Sequence, residues 1–257
     1  MDLRERRNDD QPRHPWEVAR YAFFSVLLRE TRRLEGQRVL DVGSGDAWLA
    51  RRLWSEVASA ERPAALCCVD ASYTQTDRDE LTQASPGMTF VTGPPAERFD
   101  VILLLDVLEH VGDDIGFVRV LVEQQLATRG LVLVSVPAWP ALWTSHDVAL
   151  GHHRRYTPQQ ARTVLESAGL RILREGSVFS TLPLPRAIAV LRDRLSPPDH
   201  AALAPHSAWS APSAVTHAVG AVLAADVALA RFAARHELVI PGLSWWALCE
   251  AIERRIP

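Results

Sequence analysis

Residues 150–157, LGHHRRYT, hold two histidines, two arginines and a tyrosine in eight positions. With His146 and Asp147 just upstream, four kinds of chemistry are open to them. Nitrogen and oxygen ligands could hold a metal, but the spacing H-D-x4-H-H fits no fixed coordination geometry, and no metal is expected. Arg154 and Arg155 could clamp a carboxylate or phosphate. An imidazole such as His146 or His152 could take a proton from a hydroxyl or amine near neutral pH. Alternatively the segment is a latch, with Arg155 pairing to Asp147 and Tyr156 packing beneath the next helix.

A second group of residues lies upstream. VLDVGSGDAWLA, residues 39–50, has the pattern D-x-G-x-G-x-A, formed by Asp41, Gly43, Gly45 and Ala47 around Ser44. A strand that turns sharply into a helix needs such small residues, because backbone must approach both ligand and neighbouring strand. Asp70 ends the next strand-like run, where a carboxylate can accept hydrogen bonds from ribose hydroxyls. A dinucleotide site seats a diphosphate on the helix N-terminus. Asp41 and Asp46 would repel one, and suit a ligand with an ammonium group. A third acid, Asp106, follows the most apolar run, FDVILLL, with Val107, Glu109 and His110 behind it. His110 is a further candidate base.

These residues need a scaffold, and the pattern supplies one. Short apolar runs at 38–43, 65–71, 88–93, 99–105, 130–137 and 170–180 alternate with helical stretches at 15–35, 45–59, 114–128 and 157–170. Strands too apolar to have a wet face, separated by helices, imply a parallel sheet covered on both sides. Residues 1–14 are polar and read as a disordered tail. Residues 15–180 read as the core, 181–240 as a helical cap inserted before the last element, and 241–257 as that element, a strand or a closing helix. The insertion contains a long Ala/Val helix near 213–237. It is of near-spanning length, carries His217, Asp226 and Arg231, and reads as a soluble cap with peripheral membrane contact as an option.

Bulk properties exclude little. The 257 residues carry a net charge of −3, so no basic field recruits nucleic acid. All 28 basic residues are arginine, which a genome-wide coding bias explains. Cys67, Cys68 and Cys249 form neither a disulfide framework nor a zinc pattern. The polar N-terminus lacks a secretory h-region, and a cytoplasmic location is the default expectation.

VLDVGSGDAWLA, then VDAS, then FDVILLLDVLEHVGDD, resembles the class I S-adenosylmethionine-dependent methyltransferases, in particular the ubiquinone-biosynthesis-like group, over about residues 15–180. The resemblance implies a Rossmann-like α/β fold: a seven-stranded, mostly parallel sheet with helices on both faces and its last strand antiparallel. It implies S-adenosylmethionine as cofactor. Asp41, Gly43, Ser44 and Gly45 would line the methionine end, Asp70 the ribose and Ala71 the adenine, with Asp106 and Val107 below the reaction centre. Ala47 replaces a third glycine. TGPPAER, residues 92–98, has prolines where many relatives place an acid for the adenine amino group; only Glu97 is near. The segment from Val136 to Thr157 also resembles a subgroup with a Trp-containing loop before Gly-His-x-Arg-Arg-Tyr-Thr. On this reading Trp16, Arg20 and Tyr21 cover the cofactor, and Trp139 and Trp143 wall the pocket of a small-molecule acceptor. Non-catalytic binding proteins and nicotinamide oxidoreductases are the competing classes.

Overall fold

Alternation inside a single strand shows why the sheet is covered on both faces. In β4, Phe99–Leu105, the side chains of Val101, Leu103 and Leu105 join one hydrophobic cluster, and those of Ile102 and Leu104 join another. Successive side chains of a strand point to opposite faces, so a continuous apolar run needs a cover on each.

The computed structural model describes residues 13–31, 34–56, 62–196, 209 and 211–252. The other strands are β1 (Arg38–Val42), β2 (Ala65–Val69), β3 (Met88–Val91), β5 (Leu126–Pro137), β6 (Leu170–Val178) and β7 (Ser244–Ala251). They form one sheet in the order β3-β2-β1-β4-β5-β7-β6. Strands β1 to β5 pair in parallel, and β7 runs antiparallel between β5 and β6. The order reverses between β1 and β4, and a doubly wound sheet opens its ligand crevice at such a point, beyond the strand C-termini.

One face carries α1 (Pro15–Thr31), α2 (Trp48–Ser55) and α8 (Ser213–Arg235); the other carries α4 (Asp114–Gln124) and α6 (Pro158–Ser167). Helix α3 (Gln75–Ala84) follows β2 and is capped by Thr74, whose hydroxyl accepts from the Asp77 amide. Between β5 and α6 lies a short α5 (Ser145–Ala149), and α7 (Pro183–Leu195) follows β6.

Some expected boundaries move. The helix after the glycine turn begins at Trp48, not Gly45, because Gly43, Gly45 and Ala47 all take positive φ. Residues 43–47 are therefore a loop that faces the crevice. Strand β5 starts at Leu126, four residues early, through its contact with Phe99. The final element is a strand, fixed by its pairing on both sides. Residues 1–12, most of the expected N-terminal tail, lie outside the described residues, as do 197–208 and 253–257.

Helix α8 is long and apolar enough to cross a membrane by composition. It is docked here on protein. Leu223, Val227 and Ala230 join the cluster that also holds Phe23, Phe24 and Leu27 of α1. The buried Asp226 carboxylate accepts from the Ser180 and Thr181 amides at 2.9 and 2.8 Å.

Candidate active site

The crevice lies where β1, β2 and β4 end. Gly43 has φ +68°, and a Cβ there would sit 2.7 Å from Val107 Cγ2. Only glycine lets the β1 turn pass this close to the end of β4. Asp70 is the residue after β2. Its carboxylate accepts from the Gly45 amide and the Ser72 amide, each at 2.9 Å, which fixes it beside the turn. Asp106, the residue after β4, has φ +58°. That strained conformation is held by three contacts: its amide donates to Ser135 O, Ser135 Oγ donates to its carboxylate at 2.9 Å, and Arg20 lies 3.2 Å away.

These residues line a cavity of about 450 Å³ together with Val42, Ala71, Thr92, Pro94, Val107, His110, Phe117, Leu150 and Gly151. A smaller cavity of about 40 Å³ adjoins it at Gly43, enclosed by Glu17, Arg20, Asp41, Ser44, Asp46 and Trp48. All the residues read from the sequence as cofactor-binding except Gly45 line one cavity or the other, and Gly45 holds Asp70 in place.

Charge in the small cavity is unusual. Asp41 is buried, and burial pushes its carboxyl up to about 7, the Asp70 charge adding to the rise while Arg20 opposes it. Arg20 is buried on α1, and its Nε has no hydrogen-bond partner among the described residues. A carboxylic acid and a guanidinium therefore face one space, and an unpaired buried donor is costly unless a ligand meets it. The pair matches an amino-acid zwitterion, ammonium toward Asp41 and carboxylate toward Arg20. The sequence had suggested Arg20 only as part of a cover. Asp46 does not face the ligand as a free charge, because Arg13 pairs with it.

The LGHHRRYT segment returns along the mouth of the crevice. Ala138 bridges to Tyr156, Tyr156 N donates to Pro137 O, and His153 N donates to Glu109 O at 2.7 Å. Its two arginines are spent within the chain. Arg155 Nε donates to Asp147 at 2.9 Å and its Nη1 to Ala138 O; Arg154 donates to Asp114 and Gly112 O. Tyr156 is buried and its hydroxyl donates to Asp114 and Leu108 O. Arg154, Arg155 and Tyr156 thus make the contacts expected of a latch, and none of the three lines either cavity. The hub of the latch is Asp147, fully buried, which also pairs with Arg186 of α7 and with His152 Nδ1 at 3.1 Å. Burial raises the Asp147 pKa, but the His152 hydrogen bond and the Arg155 and Arg186 charges outweigh it. The group lies well below the usual carboxylate range.

The three candidate bases separate. His110 lines the large cavity, and the His152 ring packs edge-on against it with centroids 4.7 Å apart. His146 lies on α5 outside both cavity linings, and burial followed by the Arg186 charge lowers it to about 4. Neither Trp139 nor Trp143 lines the cavities; Trp139 Nε1 instead donates to Gly242 O at 2.8 Å. Glu109, missed as a site residue by sequence reasoning, is buried beneath the histidines. Burial and the Asp106 charge raise its pKa well above the usual range, and its Oε2 has no hydrogen-bond partner among the described residues. Glu109, His110 and His152 bring one ligand-type atom each within 4.8 Å of the others. That trio shares only His152 with the histidines and acid that the sequence offered as metal ligands.

A family model described as a methyltransferase domain matches residues 16–175. The chain belongs to the methyltransferase domain family. Its strand order and crevice are those of the class I S-adenosylmethionine-dependent enzymes, and S-adenosylmethionine is the cofactor of that class. The chain is 29% identical over 164 residues to a ubiquinone biosynthesis O-methyltransferase of Cereibacter sphaeroides, spanning 57% of its own length and 65% of the relative's. It is 26% identical over 181 residues to one of Ruegeria sp., covering 62% and 70%. Among solved structures, coclaurine N-methyltransferase superposes with a TM-score of 0.56 at 12% identity, covering 95% of this chain and 73% of that one. The [4+2]-cyclase SpnF gives 0.53 at 18% identity, covering 95% and 84%. Likeness at that level speaks for the fold alone.

Proposed function

We propose that the protein transfers the methyl group of S-adenosylmethionine to a hydroxyl oxygen of a small organic acceptor. The observation that carries this reading is the facing of Asp41 and Arg20 across the small cavity, which adjoins the larger one containing Asp70 and His110. The donor's amino-acid end fits the first space. Its ribose reaches the Asp70 carboxylate, and its adenine lies along Ala71, Thr92, Pro94 and Phe117. The sulfonium then falls near Asp106 and His110, where the acceptor would enter.

Methyl transfer is an in-line displacement. The acceptor oxygen attacks the methyl carbon, the C–S bond breaks, and the sulfonium becomes a neutral thioether. Holding two reactants in line supplies roughly 7–11 kcal/mol of the barrier. A hydroxyl acceptor must also lose its proton. With His152 donating Nδ1–H to Asp147, its Nε2 is left as a proton acceptor, and His110, whose ring packs edge-on against it, is the imidazole that lines the cavity and would meet the acceptor. Such a base adds about 10²–10⁴-fold. The relatives named as O-methyltransferases support the choice of oxygen. Helix α7, tied to Asp147 through Arg186 and to the Ser145 amide through Asp193, closes the latch side.

The test is incubation of the protein with methyl-labelled donor and a fractionated metabolite extract, with products read by mass spectrometry. A labelled methyl carbon bonded to an ether oxygen supports the reading. Tight S-adenosylhomocysteine binding with no labelled product from any fraction sinks it.

A further inference from the structure

Helix α7 turns an apolar stripe outward. Leu184, Ile188, Leu191 and Leu195 recur at the spacing of one helix face and are 57–78% exposed. The opposite face is the docked one: Val190 is buried, Arg186 Nε donates to Leu142 O at 3.1 Å, and the Asp193 carboxylate accepts from the Ser145 amide at 2.7 Å. At 100° per residue, Arg192 and Arg194 fall roughly 80° to either side of the stripe centre. The helix's one acid, Asp193, is turned inward, with its side chain 15% exposed. The solvent face therefore presents four large aliphatic side chains bordered by cations on both flanks.

Water is a poor partner for that surface, since isolated exposed leucines are ordinary but an ordered stripe is not. An anionic bilayer satisfies both halves of the pattern. Aliphatic side chains enter the boundary between headgroups and acyl chains, and flanking arginines extend to lipid phosphates, which their planar donors pair well. We propose that α7 is a docking surface for an anionic lipid bilayer, lying in the plane of the interface. The same helix holds the segment carrying α5 through Arg186 and Asp193, so docking sets the latch side of the crevice at the membrane. This surface is distinct from α8, whose buried side is committed to α1 and β6.

The experiment is co-sedimentation of the full chain with vesicles of phosphatidylcholine mixed with phosphatidylglycerol, and with vesicles of phosphatidylcholine alone. The protein is expected to sediment with the mixed vesicles and much less with the neutral ones, losing binding as salt rises. Ile188→Glu with Leu191→Glu is expected to abolish sedimentation. Arg192→Gln and Arg194→Gln, which leave the stripe intact, are expected to weaken it roughly 5-fold each at low salt. Calorimetry with S-adenosylhomocysteine, unchanged in these variants, shows that the fold and cofactor site persist, so failure here is separable from failure of the methyl-transfer reading. Three results overturn the proposal: no sedimentation of the unmodified chain with mixed vesicles, sedimentation unaffected by the α7 changes, or a dimer in chromatography that Ile188→Glu splits into monomers while vesicle binding stays absent.

Discussion

Arg20, on the helix that precedes the sheet, places a guanidinium nitrogen 3.2 Å from the carboxylate of Asp106, the residue after β4. The contact links a residue lining the small cavity to the positive-φ residue that lines the larger one. Hydrogen bonds to charged groups are worth about 1.5–3 kcal/mol each. Arg20→Ala is therefore expected to weaken S-adenosylhomocysteine binding by roughly 10–100-fold by calorimetry. Arg20→Lys restores charge without the planar fork and recovers only part of it. Unchanged affinity in Arg20→Ala would remove the carboxylate clamp.

Asp41 makes cofactor binding depend on pH. Its carboxyl is raised by burial to about 7 in the ligand-free protein, and only the ionised form attracts an ammonium group. Affinity for S-adenosylhomocysteine is expected to rise as pH passes upward through that value and then level off. Stability of the ligand-free protein moves the other way. A group whose folded pKa is raised contributes stability that is complete below its unfolded value and lost as pH rises through the folded one. A shift of this size is worth at most roughly 4 kcal/mol. Asp41→Asn is expected to flatten both profiles, lowering affinity while raising Tm at alkaline pH. Two profiles that keep their slopes in Asp41→Asn would assign the titration elsewhere.

Gly43→Ala tests the close approach of β1 and β4. The added methyl meets Val107 Cγ2, and the backbone there is left-handed, which costs a non-glycine residue about 1–2 kcal/mol before any clash. The variant is expected to lower Tm and to lose most cofactor binding. Val107→Ala in the same chain opens space and is expected to recover part of the binding but not the backbone cost. An equal loss with and without Val107 would mean that the contact does not decide the outcome.

The sheet was legible because its physics is local. The run from Phe99 to Leu105 is apolar at every position, which only a strand covered on both faces tolerates, and the acids Asp41, Asp70 and Asp106 fall where strands end. The final strand was ambiguous, since LSWWALCEAIE has no period that separates strand from helix; pairing with β5 and β6, remote in sequence, decides it. The pairing of Arg155 with Asp147 could be named from the sequence, but an anion clamp stayed open beside it because the other partners cannot be read from spacing: Asp114 is 40 positions from Arg154, and Arg186 joins Asp147 from a helix beyond β6. Glu109 was hidden for a related reason. Its burial depends on the LGHHRRYT segment lying over it, a contact that no local pattern records.

Asp147 decides whether that segment stays in place. Its carboxylate meets Arg155, Arg186, His152 and the Thr144 amide with no exposure to solvent. Removing one partner of a buried pair leaves an uncompensated charge and costs about 3–5 kcal/mol. Asp147→Ala is thus expected to lower Tm by about 10 °C, given roughly 2–4 °C per kcal/mol in a domain of this size. The pH signature follows from sign. A depressed folded pKa gives stability that is present above the unfolded carboxylate value and lost only as pH falls through the folded one, so the unmodified latch should hold under mildly acidic conditions. If His152 acts as the base through this carboxylate, Asp147→Asn separates the two roles. It keeps the shape and a hydrogen bond to the imidazole, but favours the tautomer that turns Nε2 into a donor. The expected result is a fall in kcat of about 10²-fold or more with S-adenosylhomocysteine affinity unchanged. A variant with full kcat and lowered Tm would leave Asp147 as a latch residue and return the proton to water.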